Sequence, residues 1–252
     1  MDGWQVVEVL KRDSLGRVEL LERGAERLAR RVACGGRVPM SGALARILLA
    51  RERRALSALE GTPGAPRVVA DSAAAAAAGA VGRAPRAREV LLRSWIDGAP
   101  LHEARALPRD FFDHLDDLVA ALHERGVCHN DLHKEQNVIV GGDGFPHLID
   151  FQLASTHRAR GRLFASRARD DLRHVQKHRR RYTREGRAPH SAGAERGRGF
   201  GIRRSRLALV WRRTGKPVYN WLTRALLRTR DGEPRRPSTG PWPEWTPPTG
   251  PR

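Results

Sequence analysis

An amphipathic helix, a polar loop and a β-hairpin follow one another between residues 108 and 150, and few architectures accommodate that order. Apolar residues recur at a spacing of three or four over about 108–125, which predicts the helix. Two short apolar runs flank the glycine-rich turn at 141–144, as is typical of a hairpin. The change from helical to strand periodicity predicts a chain that contains both helices and strands.

The residues before this stretch alternate as strands do. Three apolar runs separated by short polar turns predict an antiparallel meander within residues 6–32. The other predicted elements are a helix at 43–59 and strands at 66–69 and 89–96. Beyond residue 155 the periodicity weakens, and the Pro/Gly/Trp composition of residues 231–252 predicts a disordered tail.

Charge is distributed unevenly along the 252 residues. Residues 1–157 contain 21 basic and 21 acidic side chains, whereas residues 158–252 contain 26 basic and 7 acidic ones and carry the whole net charge of +19. The hydrophobic content of 40% is sufficient for a core and argues against a fully disordered chain. Two cysteines, Cys34 and Cys128, are too few for a disulfide framework or a structural zinc site.

Membrane insertion and secretion are not indicated by the sequence. No apolar stretch approaches the roughly 20 residues of a transmembrane helix, and the first residues lack the basic-then-apolar pattern of a secretory signal. We therefore expect a cytoplasmic protein.

The chemistry is carried by the residues that follow the predicted helix. His129 and Asp131 form a His-x-Asp loop, Asn137 follows six residues after Asp131, and Asp150 ends the second strand of the hairpin. Phosphoryl transfer needs a carboxylate that orients the attacking hydroxyl and accepts its proton. It also needs an Asn and a second carboxylate that hold Mg²⁺ against the nucleotide phosphates.

Residues 127–154 resemble the catalytic core of the protein-kinase-like superfamily, and within it the bacterial lipopolysaccharide-kinase and RIO-like group. The resemblance extends over about residues 5–175. It implies a two-lobed α+β fold. The small, mainly β lobe would comprise residues 1–96, and the shortened helical lobe would comprise residues 97–230.

The resemblance also implies roles for the four residues of the loop and hairpin. Asp131 would be the catalytic base, and His129 would anchor the catalytic loop. Asn137 and Asp150 would bind Mg²⁺. The implied cofactors are therefore ATP and Mg²⁺.

Residues within the first hundred positions of the chain would bind the phosphates and the adenine of ATP. Glu52 would pair with the phosphate-binding cation, and Asp97 would follow the hinge that binds adenine. Because no lysine lies between Lys11 and Lys134, the cation of the third strand would be Arg30 or Arg31.

Departures from the kinase pattern keep a second hypothesis open. The turn at 11–17 has one glycine where a typical kinase has three, and Gln152 replaces the glycine that usually follows Asp-Phe. A pseudokinase, a scaffold that binds nucleotide without turnover, would tolerate these changes.

The basic C-terminal part supports further alternatives. Residues 217–230 predict a helix with an apolar aromatic face bordered by arginines, which suits an anionic membrane surface. The same pattern also fits a helix that closes the larger lobe. Arginines interleaved with aromatic residues also keep a nucleic-acid-binding module open.

The sequence therefore predicts a Mg²⁺- and ATP-dependent kinase that phosphorylates a hydroxyl. The acceptor would be Ser or Thr of a protein, or a sugar of the lipopolysaccharide core. If the basic C-terminal part binds anionic lipid, the enzyme would sit peripherally at the inner face of the membrane.

Overall fold

The computed structural model describes residues 3–13, 15–35, 40–77, 85–183 and 242–244. Over these residues the fold is α+β, as the sequence predicts: antiparallel strands dominate the first hundred residues, and helices dominate those that follow.

A five-stranded antiparallel sheet is formed by the first hundred residues, with the strand order β1-β2-β3-β5-β4. Its strands are β1 (Gln5–Asp13), β2 (Gly16–Arg23), β3 (Glu26–Ala33), β4 (Val68–Val69) and β5 (Val90–Ser94). The predicted meander is confirmed. Its second turn is tight because Gly24 adopts a φ of 59°, a left-handed conformation that glycine tolerates without strain.

Helix α1 (Ser41–Ala58) contacts the sheet through one face. Ala45, Leu49 and Leu56 lie on this face at helical spacing and are buried. Glu52 lies on the same face and has no exposed surface, whereas its neighbours Arg51 and Arg53 are exposed. The helix therefore brings one buried carboxylate to the sheet. A short helix, α2 (Ser72–Ala76), follows, with Asp71 as its N-cap.

The later residues form short strands and two long helices. In chain order they are β6 (Gly98–Pro100), α3 (Phe111–Glu124), β7 (Val127–Cys128), β8 (Val138–Gly141), β9 (Pro146–Leu148), β10 (Ser155–Thr156) and α4 (Arg162–Tyr182). Strands β6, β8 and β9 form one antiparallel sheet, and β7 pairs with β10. The predicted helix and hairpin are thus confirmed.

Helix α4 was not predicted from the sequence, and its composition explains why. Its buried positions are Phe164, Asp171, Val175, His178 and Tyr182, which recur at helical spacing. Two of these five are polar, so the apolar periodicity that identifies a helix is interrupted. The helix nevertheless packs against α3 and β7, and it contributes Val175 and Tyr182 to the main core.

The core consists of two apolar clusters. Its larger apolar cluster joins α1 residues such as Leu49 and Leu56 to Leu115 of α3, Val138 of β8 and Val175 of α4. A smaller cluster on the sheet includes Leu21 and Leu92.

Residues 242–244 belong to the segment that the sequence predicts to be a disordered tail, and they contact the rest of the protein. The Nε1 atom of Trp242 donates to the carbonyl oxygen of Leu101 at 3.0 Å, and Leu107 N donates to Pro243 O at 3.0 Å. The rest of that tail and the predicted helix at 217–230 lie outside the described residues. Within the described part of the chain, no helix has the length and apolar character needed to cross a membrane.

The free energy of unfolding should depend on pH through two histidines of α4, His174 and His178. Burial lowers the pKa of His178, and burial together with the charge of Arg173 lowers the pKa of His174 to about 4. His174 is therefore neutral in the folded protein near pH 6, and the pKa of His178 is shifted in the same direction, while the unfolded chain takes up protons as the pH falls below about 6.5. Because the unfolded state binds more protons, the free energy of unfolding should decrease from about pH 6.5 towards pH 4.

Urea unfolding at several pH values checks this expectation. In His174→Gln the decrease in unfolding free energy should be smaller than in the wild type. Parallel pH profiles for the wild type and His174→Gln would contradict the assignment.

Candidate active site

The loop that carries Asp131 runs from β7 to a 3₁₀ turn at Glu135–Asn137, and His129 anchors it. Asp131 N donates to Nδ1 of His129 at 3.3 Å, so the ring carries its proton on Nε2, which donates to Ile149 O at 3.0 Å. The ring is buried beside that of Phe151. His129 thus ties the loop to the residue that precedes Asp150, and its contacts are structural.

Asp131 is buried and surrounded by donors. Asn137 Nδ2 donates to its Oδ2 atom at 3.1 Å, and Lys134 Nζ lies 2.9 Å from the same oxygen. His133 Nδ1 lies 3.0 Å from Oδ1. Burial alone would raise the pKa of Asp131, but His133 and Lys134 outweigh it and hold the pKa below its ordinary value. The carboxylate is therefore ionised at neutral pH.

Asp150 follows β9 and lies beside the loop. Its backbone is left-handed, with φ of 65° and ψ of 63°, and a 3₁₀ turn at Phe151–Leu153 comes next. Gln152 Nε2 donates to Oδ1 of Asp150 at 2.6 Å, and Arg31 Nη1 lies 3.7 Å from that oxygen. Burial raises the pKa of Asp150, but Arg31, the hydrogen bond from Gln152 and the charges of Lys11 and Arg93 together hold it below its ordinary value.

The pairing of β8 with β9 brings Asn137 and Asp150 together. Val138 lies opposite Leu148, and Ile149 N donates to Asn137 O at 3.0 Å. Asp150 is the next residue after Ile149. Asp131, Asn137 and Asp150 are thus assembled by one side-chain hydrogen bond and one strand pair.

Glu52 of α1 lies between two arginines of the sheet. Arg93 of β5 forms an ion pair with Oε1 of Glu52, and Arg31 Nη1 of β3 lies 3.7 Å from Oε2. Arg31 pairs with Leu91, two residues before Arg93, so both arginines are on the sheet face that meets α1. A fully buried carboxylate requires such partners.

Arg30 lies on the opposite face of β3. Its Nε atom donates to Oε2 of Glu19 at 2.8 Å, and Nη1 donates to three carbonyl oxygens at the end of α2, those of Ala74, Ala75 and Ala77. Arg30 is therefore a structural residue, and of the two arginines that the sequence offered as the third-strand cation, Arg31 is the one beside Asp150.

Asp97, the remaining predicted site residue, is exposed between β5 and β6. Its carboxylate accepts from Arg27 Nη2 at 2.7 Å and from Trp95 Nε1 at 3.0 Å. Within the described residues these are its side-chain partners, so the structure does not join Asp97 to the other predicted residues.

Asp171 of α4 is a residue that the sequence analysis missed. It is buried, and its two carboxylate oxygens accept from the backbone N–H groups of His129 at 2.8 Å and Asn130 at 2.9 Å. Asn130 has a positive φ of 64°, so this contact stabilises a left-handed residue at the start of the loop. An aspartate on the buried face of a helix indicates such a structural role. The sequence alone does not reveal that face, because α4 was not predicted.

Asp171, His123 and Cys128 also lie close enough to suggest a metal site, with their ligand atoms within 4.8 Å of one another. Burial raises the pKa of Cys128 to about 12, which keeps the thiol protonated, and a metal binds the thiolate. Both oxygens of Asp171 already accept backbone hydrogen bonds. We therefore interpret this group as an anchor for the loop.

The contacts described above connect five residues, which we call the Asp131–Glu52 cluster. Its members are Asp131, Asn137, Asp150, Arg31 and Glu52. The cluster combines ionised carboxylates and an amide, which suit a hard divalent cation, with a guanidinium that suits phosphate. Arg93 and Lys134 contact the cluster and were not assigned to it from the sequence.

No protein-family model matches this chain, and no curated protein gives a significant match to it.

Asp171→Asn should destabilise the protein. Asparagine has a single carbonyl oxygen, so one of the two backbone N–H groups would face an amide NH₂ instead of an acceptor. Losing a buried hydrogen bond to a charged group costs about 1.5–3 kcal/mol, and the unfolding free energy measured in urea should fall by about that amount.

The neighbouring Asp170 provides the matched control. Asp170 is exposed and pairs with Arg173 on the helix surface, so Asp170→Asn should change the unfolding free energy by less than about 0.5 kcal/mol. Equal effects of the two substitutions would show that Asp171 does not anchor the loop.

Proposed function

We propose that this protein is a Mg²⁺- and ATP-dependent kinase with a two-lobed, protein-kinase-like fold, whose lobes comprise residues 1–96 and 97–230. The observation that carries the proposal is the assembly of Asp131, Asn137 and Asp150 beside Arg31 and Glu52. The phosphoryl acceptor is a hydroxyl, either of Ser or Thr in a protein or of a sugar in the lipopolysaccharide core.

Asp131 is suited to orient the acceptor hydroxyl. Its low pKa keeps it ionised, so it can accept a hydrogen bond from the hydroxyl and take the proton as the phosphoryl group is transferred. Asn137 fixes the orientation of the carboxylate through Oδ2. Lys134 Nζ, at 2.9 Å from the same oxygen, supplies positive charge where phosphate oxygens would lie during transfer.

Asn137 and Asp150 have oxygens suited to Mg²⁺. Asn137 donates through Nδ2 and Asp150 accepts through Oδ1, and no described donor occupies Asn137 Oδ1 or Asp150 Oδ2. Carbonyl and carboxylate oxygens of this kind are preferred Mg²⁺ ligands. When bound, Mg²⁺ neutralises and orients the nucleotide phosphates.

Arg31 is the proposed phosphate-binding cation. Its guanidinium lies 3.7 Å from both Glu52 and Asp150, which is an ion-pair distance without a hydrogen bond. Because Arg93 already pairs with Glu52, Arg31 can turn towards a phosphate without leaving a buried carboxylate unpaired. An arginine can thus replace the lysine of the usual kinase pattern.

The alternative is a pseudokinase that binds Mg²⁺ and ATP without turnover. We favour an enzyme because a scaffold has no need of Asp131, and in this protein Asp131 is held by Asn137, His133 and Lys134. The membrane and nucleic-acid hypotheses rest on the basic segment around 217–230, which lies outside the described residues.

Asp131→Asn and Asp150→Ala should separate transfer from binding. Asp131→Asn keeps the shape of the side chain and loses the proton acceptor, so kcat should fall by about 10²- to 10⁴-fold while Mg²⁺-ATP binding persists. Asp150→Ala removes the metal-binding carboxylate, so Mg²⁺-dependent ATP binding should be lost.

Calorimetry with Mg²⁺-ATP and label transfer from ATP to cell-envelope and soluble protein fractions measure the two effects. Asp117→Asn, an exposed change on α3, serves as the control for both. Unchanged ATP affinity in Asp150→Ala would refute the kinase proposal. Binding by the wild type without label transfer to either fraction would establish the pseudokinase.

Arg31→Ala and Arg30→Ala should have different effects although the residues are adjacent. Arg31→Ala should weaken Mg²⁺-ATP binding by about 10- to 100-fold, the loss expected for a charge-assisted contact. Arg30→Ala should leave that affinity unchanged and lower the unfolding free energy by about 3–5 kcal/mol, because Arg30 and Glu19 form a fully buried ion pair. Weaker ATP binding in Arg30→Ala alone would reverse the assignment.

A further inference from the structure

A cavity of about 210 Å³ lies where α1, α4 and the segment after Asp150 meet. Arg51 and Arg54 of α1, Arg167 of α4 and residues 153–156 line it. The Asp131–Glu52 cluster contributes none of these residues. Three arginines from two helices therefore line one concave surface outside the proposed catalytic residues.

These three arginines differ from many others in the protein because they are not neutralised. Arg17, Arg93 and Arg179, for example, each pair with a carboxylate. Among the described residues no hydrogen-bond acceptor or carboxylate pairs with Arg51, Arg54 or Arg167. Three like charges around one cavity repel each other, and an anion within it would remove that repulsion.

The chemistry of the lining selects a phosphate-type anion. Guanidinium groups bind phosphate oxygens in a forked geometry, and several of them are typical of sites for doubly charged anions. The hydroxyl of Ser155 is already engaged by Asn130 and His157, at 3.1 Å and 2.8 Å. Thr156 is exposed, and its hydroxyl makes no hydrogen bond within the described chain, so it can donate to an anion.

We propose that this cavity is a second anion site, which binds a phosphate group through Arg51, Arg54 and Arg167. An anion held there connects α1, directly beside Glu52, with the segment that begins three residues after Asp150. The site is independent of the proposed kinase activity, because none of its residues belongs to the Asp131–Glu52 cluster.

Titration with inorganic phosphate at constant ionic strength, without Mg²⁺ or nucleotide, tests the proposal. Calorimetry should show saturable binding, and the NMR amide signals of residues 153–156 should shift with the same affinity. Arg54→Gln and Arg167→Gln should each weaken binding by about tenfold. Arg169→Gln, two residues further along α4 and outside the cavity, should bind phosphate as the wild type does.

Phosphate could also reach Arg31, so the titration is repeated in Arg31→Ala. Binding that persists in Arg31→Ala and is weakened by Arg54→Gln belongs to the cavity. Binding that is lost in Arg31→Ala, or that is the same in Arg54→Gln, Arg167→Gln and the wild type, would overturn the proposal. Because the titration uses no ATP, its outcome does not depend on whether the protein is a kinase.

Discussion

A carboxylate without any exposed surface, that of Glu52, fixes the way α1 packs on the sheet. A buried charge is tolerable only if oppositely charged groups surround it, and removing one partner of such a pair typically costs about 3–5 kcal/mol. Here the partners are Arg31 and Arg93 on neighbouring strands. The ion pairs therefore determine both the position of the helix and the placement of Arg31 beside Asp150.

A second buried carboxylate, Asp171, fixes the other side of the site in a different way. It accepts two backbone N–H groups in addition to its contact with His123, so it holds the conformation of the loop at His129 and Asn130. His129 then connects this loop to the residue before Asp150. The two parts of the Asp131–Glu52 cluster are thus held by separate buried acids, one from α1 and one from α4.

The sequence predicted the helices and strands in which apolar residues recur at a regular spacing. It missed the parts of the structure in which polar residues are buried. The meander, α1, α3 and the hairpin have regular apolar spacing, and the structure confirms them. Helix α4 was missed because it buries polar side chains in the protein interior. Arg93 was missed because it is itself a charged residue that is buried. Arg30 and Arg31 could not be separated because β3 is buried on both faces, so its sequence shows no alternation that would tell which residue faces α1.

If the cluster binds nucleotide as proposed, charge balance explains why that binding should require a divalent cation. Arg31, Arg93 and Lys134 offset Glu52, Asp131 and Asp150 within a few ångströms, so the site is close to neutral before a ligand enters. Nucleotide phosphates would add several negative charges to a partly buried space, where like charges repel strongly. On the proposed function, Arg31 can pair with one phosphate oxygen. The other negative charges of the nucleotide phosphates need further positive charge. A metal ion bound to the oxygens of Asn137 and Asp150 that have no donor among the described residues would supply it.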